Sequence, residues 1–511
     1  MTPQSDASPP AEPASKRNAA LWPVLVVGLL SALAVWRYFA AGPQPGDDWG
    51  QYLSHARALL EGRPYADIGY LFSPLAWTVG PPTYPPGLPV TLLPFVAALP
   101  ESIATMRVLM YGLLAAFLAS SFHYFSRDGE STVAWGMVAL LGTSFLLLGT
   151  PNSIGSDLGM CAFTWAAVAT VRERSRWSVS RGAVVGVLGL LAISYRLAAV
   201  PLVPAMFFWA LLRRRTAGWV PWAVGAAWAT AFVTVFVLFG SAPDVIGSVG
   251  ADTIDADQRG PLALMGWVFE RLDGKLNRYR FALSEVYLYP FPIKAANQLY
   301  HVVALALTAV GLWIWTRRDW SRFGIIVAAS TSAMLLIIPV WDQRYALVLL
   351  PFVCFGLVRG AAAAIERGSG SSKGAANWAT SIAVCVSAFA VANDVRRPDS
   401  PELPTDQEWR DFGEALQATD FQGTIRAASN RPRVLAWLTR IPAAGLSPTD
   451  IDPFLDEAVR LGVTHIVLTR RAPEANILER FDAWDLSRPG LFQPVAKVGM
   501  LEGYRINMEL R

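Results

Sequence analysis

Residues 197–240 read LAAVPLVPAMFFWALLRRRTAGWVPWAVGAAWATAFVTVFVLFG: two apolar stretches separated by Arg213-Arg214-Arg215. An apolar helix of about 20 residues crosses the hydrocarbon core of a bilayer, and basic residues collect in the cytoplasmic loops of membrane proteins. The stretch therefore predicts two membrane helices joined by a cytoplasmic turn.

The same alternation of apolar blocks and short basic clusters continues over most of the chain. Only 16% of the 511 residues are charged and 53% are hydrophobic, whereas soluble domains carry about 25% charged residues. We therefore predict an α-helical polytopic membrane protein with about 11 transmembrane helices. The predicted spans are 21–41, 103–125, 132–149, 157–171, 182–195, 197–212, 219–240, 297–316, 323–341, 345–364 and 376–393.

The basic clusters also predict the orientation of these spans. A cytoplasmic amino terminus, disordered over residues 1–20, places every cluster on the cytoplasmic side. Loops 42–102 and 242–296 then face outward, to the periplasm of a bacterial inner membrane. A cleaved signal peptide is the rival interpretation of residues 21–41, but the long leader and Arg37 favour a retained helix. The clusters are Arg172 to Arg181, Arg213 to Arg215, Arg317 to Arg322, and Arg359 to Lys373.

Beyond the transmembrane domain of residues 21–393, residues 394–511 have the composition of a soluble domain. A helix is predicted over 454–461, ending at Gly462, and the β-branched stretch 463–469 predicts a strand. Together with candidate strands at 493–498 and 503–508, this pattern predicts a small periplasmic α/β domain.

The first outward loop carries the most informative polar sequence. It opens with Gly46-Asp47-Asp48-Trp49, and residues 49–62 show apolar positions at helical spacing between charged ones. An amphipathic helix at the membrane interface is predicted there. The turn Pro85-Pro86-Gly87 precedes residues 88–99, which are too short to span a bilayer and predict a second interfacial helix.

These motifs, in this order, resemble the GT-C superfamily of membrane glycosyltransferases, which includes protein mannosyltransferases and the aminoarabinose transferase of lipid A. The resemblance rests on the acidic pair, on Tyr52 followed by Ala56-Arg57-Ala58-Leu59-Leu60-Glu61-Gly62, on Thr83 to Pro89, and on Asp342-Gln343-Arg344-Tyr345. It implies a GT-C-like fold and transfer of a sugar from a polyprenyl-phosphate carrier. Counting back four residues from Tyr52 makes Asp48 the matching catalytic acid, and one inserted residue would make it Asp47.

The chemistry of such a transfer suggests roles for particular residues. An acceptor hydroxyl is a poor nucleophile, so a carboxylate that accepts its proton assists an inverting attack. The phosphate departs as a stable anion, which arginines stabilise. Arg344 and its neighbour Tyr345 are the first candidates to bind the donor phosphate, followed by Arg196 and then Arg280. Asp47 and Asp48 could share a divalent cation, but no further ligand cluster is evident.

Alternative interpretations stay open at this point. An acidic pair after a Pro-Gly step is often a helix N-cap. A lipid or solute transporter or flippase would also explain an intramembrane Arg196, and a polymerase or ligase of envelope polysaccharide would use a diphosphate-linked donor. Expected partners are membrane lipid, the polyprenyl-phosphate-sugar donor and a glycan, lipid or protein acceptor. The formal net charge of +4 requires no nucleic acid.

Overall fold

The computed structural model describes most of the membrane region and most of the carboxyl-terminal third. The predicted amino-terminal segment 1–20, nearly all of span 21–41, and residues 241–293 of the second outward loop lie outside the described part. The described residues are 47–76, 80, 84–99, 102–127, 129–144, 147, 150, 154–171, 177–240, 294–319, 322–337, 343–395, 403–419, 425–446, 450–470 and 475–510, with single positions 28, 29, 32 and 36.

Apolar helices follow the predicted spans closely. Among the described residues, five helices are long and apolar enough to cross a membrane, and five apolar helices are shorter. The fold is therefore that of a helical membrane protein. The helices are α3 Ile103–Ser126, α4 Ser131–Gly142, α5 Ser156–Thr170, α6 Val179–Tyr195, α7 Leu202–Leu212, α8 Arg214–Ala217, α9 Val220–Val235, α10 Lys294–Thr316, α11 Phe323–Ile337, α12 Leu350–Ser369 and α13 Ser372–Val395.

Small residues bring helices α10 and α12 into backbone contact. A Cβ atom added to Gly360 would lie 1.9 Å from the carbonyl oxygen of Leu307, and one on Gly311 would lie 1.9 Å from that of Gly356. Gly356 and Gly360 are four residues apart, the spacing that lets membrane helices pack without intervening side chains. Glycine at these positions is therefore required for the close crossing of the two helices.

The chain between α6 and α7 turns tightly. Helix α6 ends at Tyr195, Arg196 has an extended backbone, and a short 3-10 helix, Leu197–Ala199, follows. This turn places the Arg196 side chain at the ends of the two helices.

The first outward loop forms helix α1, Asp48–Leu60, strand β1, Tyr70–Leu71, and helix α2, Gly87–Ala98. Every residue of α1 from Trp49 to Ala56 is buried. The predicted amphipathic helix is therefore present, but it is enclosed by protein on all sides. The sequence suggests an exposed face because of the charged residues Arg57 and Glu61. In the structure these residues lie near the end of α1, where burial is incomplete.

The carboxyl-terminal region contains helices around a mixed sheet. Its helices are α14 Asp406–Ala418, α15 Pro432–Thr439, α16 Ile451–Leu461 and α17 Ala475–Ser487, and its strands are β2 Ala427–Ser429, β3 Ala443–Gly445, β4 His465–Thr469, β5 Phe492–Val498 and β6 Leu501–Ile506. Gly462 follows α16 in the left-handed conformation that terminates helices, as predicted.

Strand β1 of the first loop joins this sheet. The strand order is β1-β3-β2-β4-β6-β5, with the first three pairings parallel and the last two antiparallel. Tyr70 pairs with Ala443, and Leu71 with Ala444. The loop and the carboxyl-terminal region thus form one sheet, which fixes the loop against that region.

Candidate functional site

Asp47 binds the beginning of helix α15. Its carboxylate accepts hydrogen bonds from the backbone N–H groups of Arg433 at 3.1 Å and Val434 at 3.0 Å. These N–H groups lie in the first turn of the helix, where no carbonyl of the helix accepts from them and where the helix dipole favours a negative charge. Asp47 therefore caps a helix 386 residues away in the chain, and no side-chain cap bond to α1 is formed.

Asp48 interacts with the side chains of Arg433, Tyr84 and Arg344. It forms an ion pair with the Arg433 guanidinium, and the hydroxyl of Tyr84 adds a hydrogen bond to its carboxylate. A third group, the Nη1 atom of Arg344, lies 3.6 Å from its second oxygen. The Asp48 side chain is 33% exposed and that of Arg433 is 3% exposed, so a substrate can reach the carboxylate while the arginine stays buried.

Arg344 connects Asp48 to a second acidic residue, Asp157, at the start of α5. The same Nη1 atom lies 3.7 Å from the Asp157 carboxylate, whose side chain is fully buried. Both distances are longer than a good hydrogen bond. Arg344 is therefore held between two carboxylates by long-range attraction, and its side chain is 35% exposed.

Arg196 forms a closer pair with Asp157, at 2.7 Å. Its guanidinium also donates to the Ser156 hydroxyl at 3.3 Å, and that hydroxyl is 2.9 Å from the hydroxyl of Tyr52. The ring of Tyr345 lies 5.0 Å from the Arg196 guanidinium. This network links α1, α5 and the turn after α6.

The electrostatic surroundings separate the two aspartates. Burial raises the pKa of Asp47 to about 6, against the opposing effects of Arg433 and the backbone N–H groups. Burial also opposes the ionised form of Asp48, but the charges of Arg433 and Arg344 outweigh it and lower the pKa of Asp48. Asp47 is therefore mostly ionised at neutral pH, and Asp48 has a lower pKa than an ordinary aspartate.

The structure thus brings together five of the six residues selected from the sequence: Asp47, Asp48, Arg344, Tyr345 and Arg196. Arg280 lies outside the described residues. Two further members of the cluster, Asp157 and Arg433, were not selected. A signal for Asp157 exists, because an acidic residue at the start of an apolar span is a functional-site candidate by itself.

Asp47 and Asp48, which the sequence suggests could share a divalent cation, both have protein partners in this structure. The Asp47 carboxylate is occupied by the backbone of α15, and Asp48 is occupied by Arg433. Within the described ranges, no group of three His, Cys, Asp or Glu side chains is close enough to hold a metal ion.

Comparison with known proteins identifies the fold. No protein-family model matches the sequence, and a search of curated proteins finds no match. Among solved structures, the chain is similar to the aminoarabinose transferase ArnT of Cupriavidus metallidurans bound to undecaprenyl phosphate. The identity is 11% and the TM-score 0.55, over 96% of this chain and 99% of that one.

The chain is also similar to the archaeal oligosaccharyltransferase AglB of Archaeoglobus fulgidus, in complex with an inhibitory peptide and a dolichol-phosphate. Here the identity is 12% and the TM-score 0.57, over 96% of this chain and 74% of that one. A second structure of that enzyme, with Zn and sulfate, aligns at 11% identity and a TM-score of 0.53, over 94% of this chain and 72% of that one.

The chain therefore has the fold of the GT-C membrane glycosyltransferases, as its sequence motifs predict. The ArnT structure is bound to undecaprenyl phosphate, and the AglB structure is in complex with a dolichol-phosphate.

Proposed function

We propose that this protein is a membrane glycosyltransferase that transfers a sugar from a polyprenyl-phosphate carrier to an acceptor hydroxyl, with Asp48 as the general base. The single observation that carries the proposal is the pairing of an accessible carboxylate, Asp48, with an accessible arginine, Arg344, at 3.6 Å. The GT-C fold supports it, because both a base and a phosphate-binding cation are needed in this chemistry.

In the proposed reaction, the acceptor oxygen forms a bond to the anomeric carbon while the bond from that carbon to the phosphate oxygen breaks. The electron pair of the broken bond stays on the phosphate, and the hydroxyl proton passes to Asp48. A carboxylate positioned in this way typically contributes a factor of about 10²–10⁴ to the rate. Attack opposite the phosphate inverts the anomeric centre.

Arg344 is the proposed ligand of the departing phosphate. Its present contacts with Asp48 and Asp157 are long, at 3.6 and 3.7 Å, so a phosphate with short, charge-assisted hydrogen bonds would replace them readily. Arg196 is closely bound to Asp157, at 2.7 Å, and would act at longer range. Tyr345 positions the Arg196 guanidinium, and Arg280 remains a candidate from sequence alone.

The arrangement of the chain in the bacterial inner membrane follows from the same proposal. The transmembrane domain, residues 21–393, holds the lipid donor, and residues 394–511 form a periplasmic domain over the site. Arg433 in that domain is in contact with Asp48, so acceptor and carboxylate would meet between the two domains. The acceptor is a glycan, lipid or protein exposed at the periplasmic face.

The test compares envelope glycans and glycolipids by mass spectrometry in the source bacterium, in a deletion strain, and in the deletion strain complemented with variants. The deletion should remove one defined sugar. Asp48→Asn should fail to restore it, since the amide cannot accept the proton. Asp67→Asn is the matched control: Asp67 belongs to the same loop, and its side chain is 57% exposed.

Equal membrane abundance and equal unfolding midpoints must accompany each comparison, because Asp48 also balances the charge of Arg433. Full restoration of the sugar by Asp48→Asn would remove the base mechanism and favour a transporter or flippase. A deletion that changes the length of an envelope polysaccharide, with every sugar retained, would instead favour a polymerase or ligase.

A further inference from the structure

A cavity of about 280 Å³ opens where α1 meets helices α14 and α15. Half of its polar lining residues are arginines, and one is a carboxylate. The lining includes the side chains of Arg57, Arg410, Glu414, Gln417, Trp437 and Arg440. None of them belongs to the cluster around Asp48, so the proposed reaction does not account for this pocket.

The walls of the pocket are fixed by close packing. A Cβ atom on Gly413 of α14 would lie 2.7 Å from the Cβ of Thr439, so these two helices touch there. On the other side, the Arg57 guanidinium lies 3.4 Å from the centre of the Trp437 ring and donates to the Trp437 carbonyl at 3.3 Å. Trp437 is only 2% exposed, so its buried ring holds Arg57 in place.

Three arginines, Arg57, Arg410 and Arg440, and one carboxylate, Glu414, line the pocket. Glu61 lies 3.8 Å from Arg440 but 2.6 Å from Arg63, which competes for it. The positive charges of Arg410 and Arg107 both act on the Asp406 carboxylate. The pKa of Arg57 is lowered to about 9, first by burial and then by the nearby charge of Arg440. A bound anion would relieve this repulsion.

Arg440 gives a second, independent indication. It follows the end of α15 with φ of 63°, in the left-handed conformation. Glycine or asparagine normally occupies this position, because other side chains are disfavoured in the left-handed conformation. The arginine side chain does not stabilise this backbone conformation. Its presence there suggests that its positive charge has a role in binding.

We propose that this pocket binds an oxyanion, a phosphate or a carboxylate, and that it holds the anionic group of the sugar acceptor. The acceptor assignment rests on the proposed function, whereas the anion site itself does not. Helix α1 carries both Asp48 and Arg57, nine residues apart, which corresponds to about 14 Å along the helix. The acceptor would therefore carry its anion on the order of 14 Å from the reacting hydroxyl.

Binding is tested with the full-length protein in phosphatidylcholine nanodiscs, by calorimetric titration with inorganic phosphate and, separately, with glucuronate. Saturable binding of at least one anion to the wild type is expected, weakened at least tenfold in R57Q R440Q. R480Q R505Q is the control because it removes two exposed arginines of the same region and the same total charge. Nanodiscs that contain phosphatidylglycerol identify the source: loss of phosphate or glucuronate binding there indicates a lipid headgroup, and unchanged binding indicates a soluble acceptor.

The variant R440G separates binding from folding. Glycine suits the left-handed position, so the unfolding midpoint should stay the same or rise while anion affinity falls. Equal affinity in the wild type and R57Q R440Q, or no saturable binding of either anion to the wild type, would overturn the proposal. Asp48→Asn should retain anion binding, so a failure of the transfer mechanism and a failure of this site give different results.

Discussion

Arg433 and Asp48 form an ion pair although 385 residues separate them in the chain. The arginine side chain is 3% exposed, and its Nε atom also lies 3.7 Å from Asp47. One buried cation thus compensates two adjacent carboxylates. The charge state of the candidate base therefore depends on the carboxyl-terminal region, which makes that region part of the site.

Replacing Arg433 with methionine should destabilise the protein by about 3 kcal/mol, the lower end of the range for breaking a buried ion pair. The lower end applies because Asp48 is 33% exposed and can regain water. The unfolding midpoint of the purified protein measures the effect. In the double variant R433M D48N part of the loss should be recovered, with a coupling of about 1 kcal/mol or more. Strictly additive losses would show that the two side chains do not interact.

Asp47 should make stability depend on pH between about 4 and 6. Its pKa is raised from an ordinary 3.8 to about 6, so the folded protein binds this proton more tightly than the unfolded chain does. Stability from this group is therefore greatest at low pH and is lost as pH rises towards 6, by on the order of 3 kcal/mol.

The difference in unfolding midpoint between the wild type and Asp47→Asn, measured from pH 4 to pH 7, isolates that contribution. The amide oxygen of asparagine can still accept from the N–H groups of α15, so the helix remains capped. The variant should lose stability relative to the wild type at pH 4 and regain it towards pH 7. A constant difference over this range would show that Asp47 has no raised pKa.

The sequence predicts helices well where a local signal decides them, such as a long apolar stretch or a glycine that ends a helix. Span 103–125 corresponds to Ile103–Ser126, and Gly462 ends its helix as expected. The arrangement around Asp48 is harder to predict because it depends on contacts between distant segments. Strand Tyr70–Leu71 has two residues and exists only through its pairing with Ala443 and Ala444.

The residues of the candidate site also differ in how far the sequence alone predicts them. Asp48 and Arg344 are recognisable from short motifs, so their selection needs no structure. Arg433 lies in the ordinary-looking segment Asn430-Arg431-Pro432-Arg433 of the last third of the chain. Nothing local distinguishes it from Arg431, and only the packing of α15 against α1 directs it to the carboxylates.

Gly50 is the position at which that packing is closest. A Cβ atom there would lie 2.6 Å from the carbonyl oxygen of Arg433, which is backbone and cannot rotate away. Gly50→Ala should therefore push α15 from α1 and destabilise the protein by about 1–3 kcal/mol, with a parallel loss of sugar transfer.

Gly112→Ala is the matched control for Gly50→Ala, because it also adds one methyl group within a helix, α3, but has no atom within 4 Å of the added Cβ. It should be neutral, or stabilise the protein by up to about 1 kcal/mol through helix propensity. The unfolding midpoints of both variants measure this difference in stability. Equal midpoints for the two variants would mean that the contact between α1 and α15 adapts freely.

The two arginines proposed to act on the donor phosphate should respond differently to substitution. Arg344→Gln removes a cation that is 35% exposed and whose ion pairs with Asp48 and Asp157 are long, at 3.6 and 3.7 Å. Its effect on stability should be small, while turnover should fall by about 10²–10³, as when one stabiliser of developing negative charge is removed. Arg196→Gln leaves a fully buried Asp157 carboxylate without its 2.7 Å partner, so about 3–5 kcal/mol of stability should be lost.

The double variant R196Q D157N separates these roles, because it removes the buried charge together with its partner. Stability should return towards that of the wild type, since neutralising both members of a buried pair is far less harmful than removing one. Turnover at saturating donor should then report what Arg196 contributes to the reaction itself. If turnover recovers with stability, Arg196 acts through the fold, and Arg344 alone binds the departing phosphate. If turnover stays low in a stable protein, Arg196 also acts on the donor.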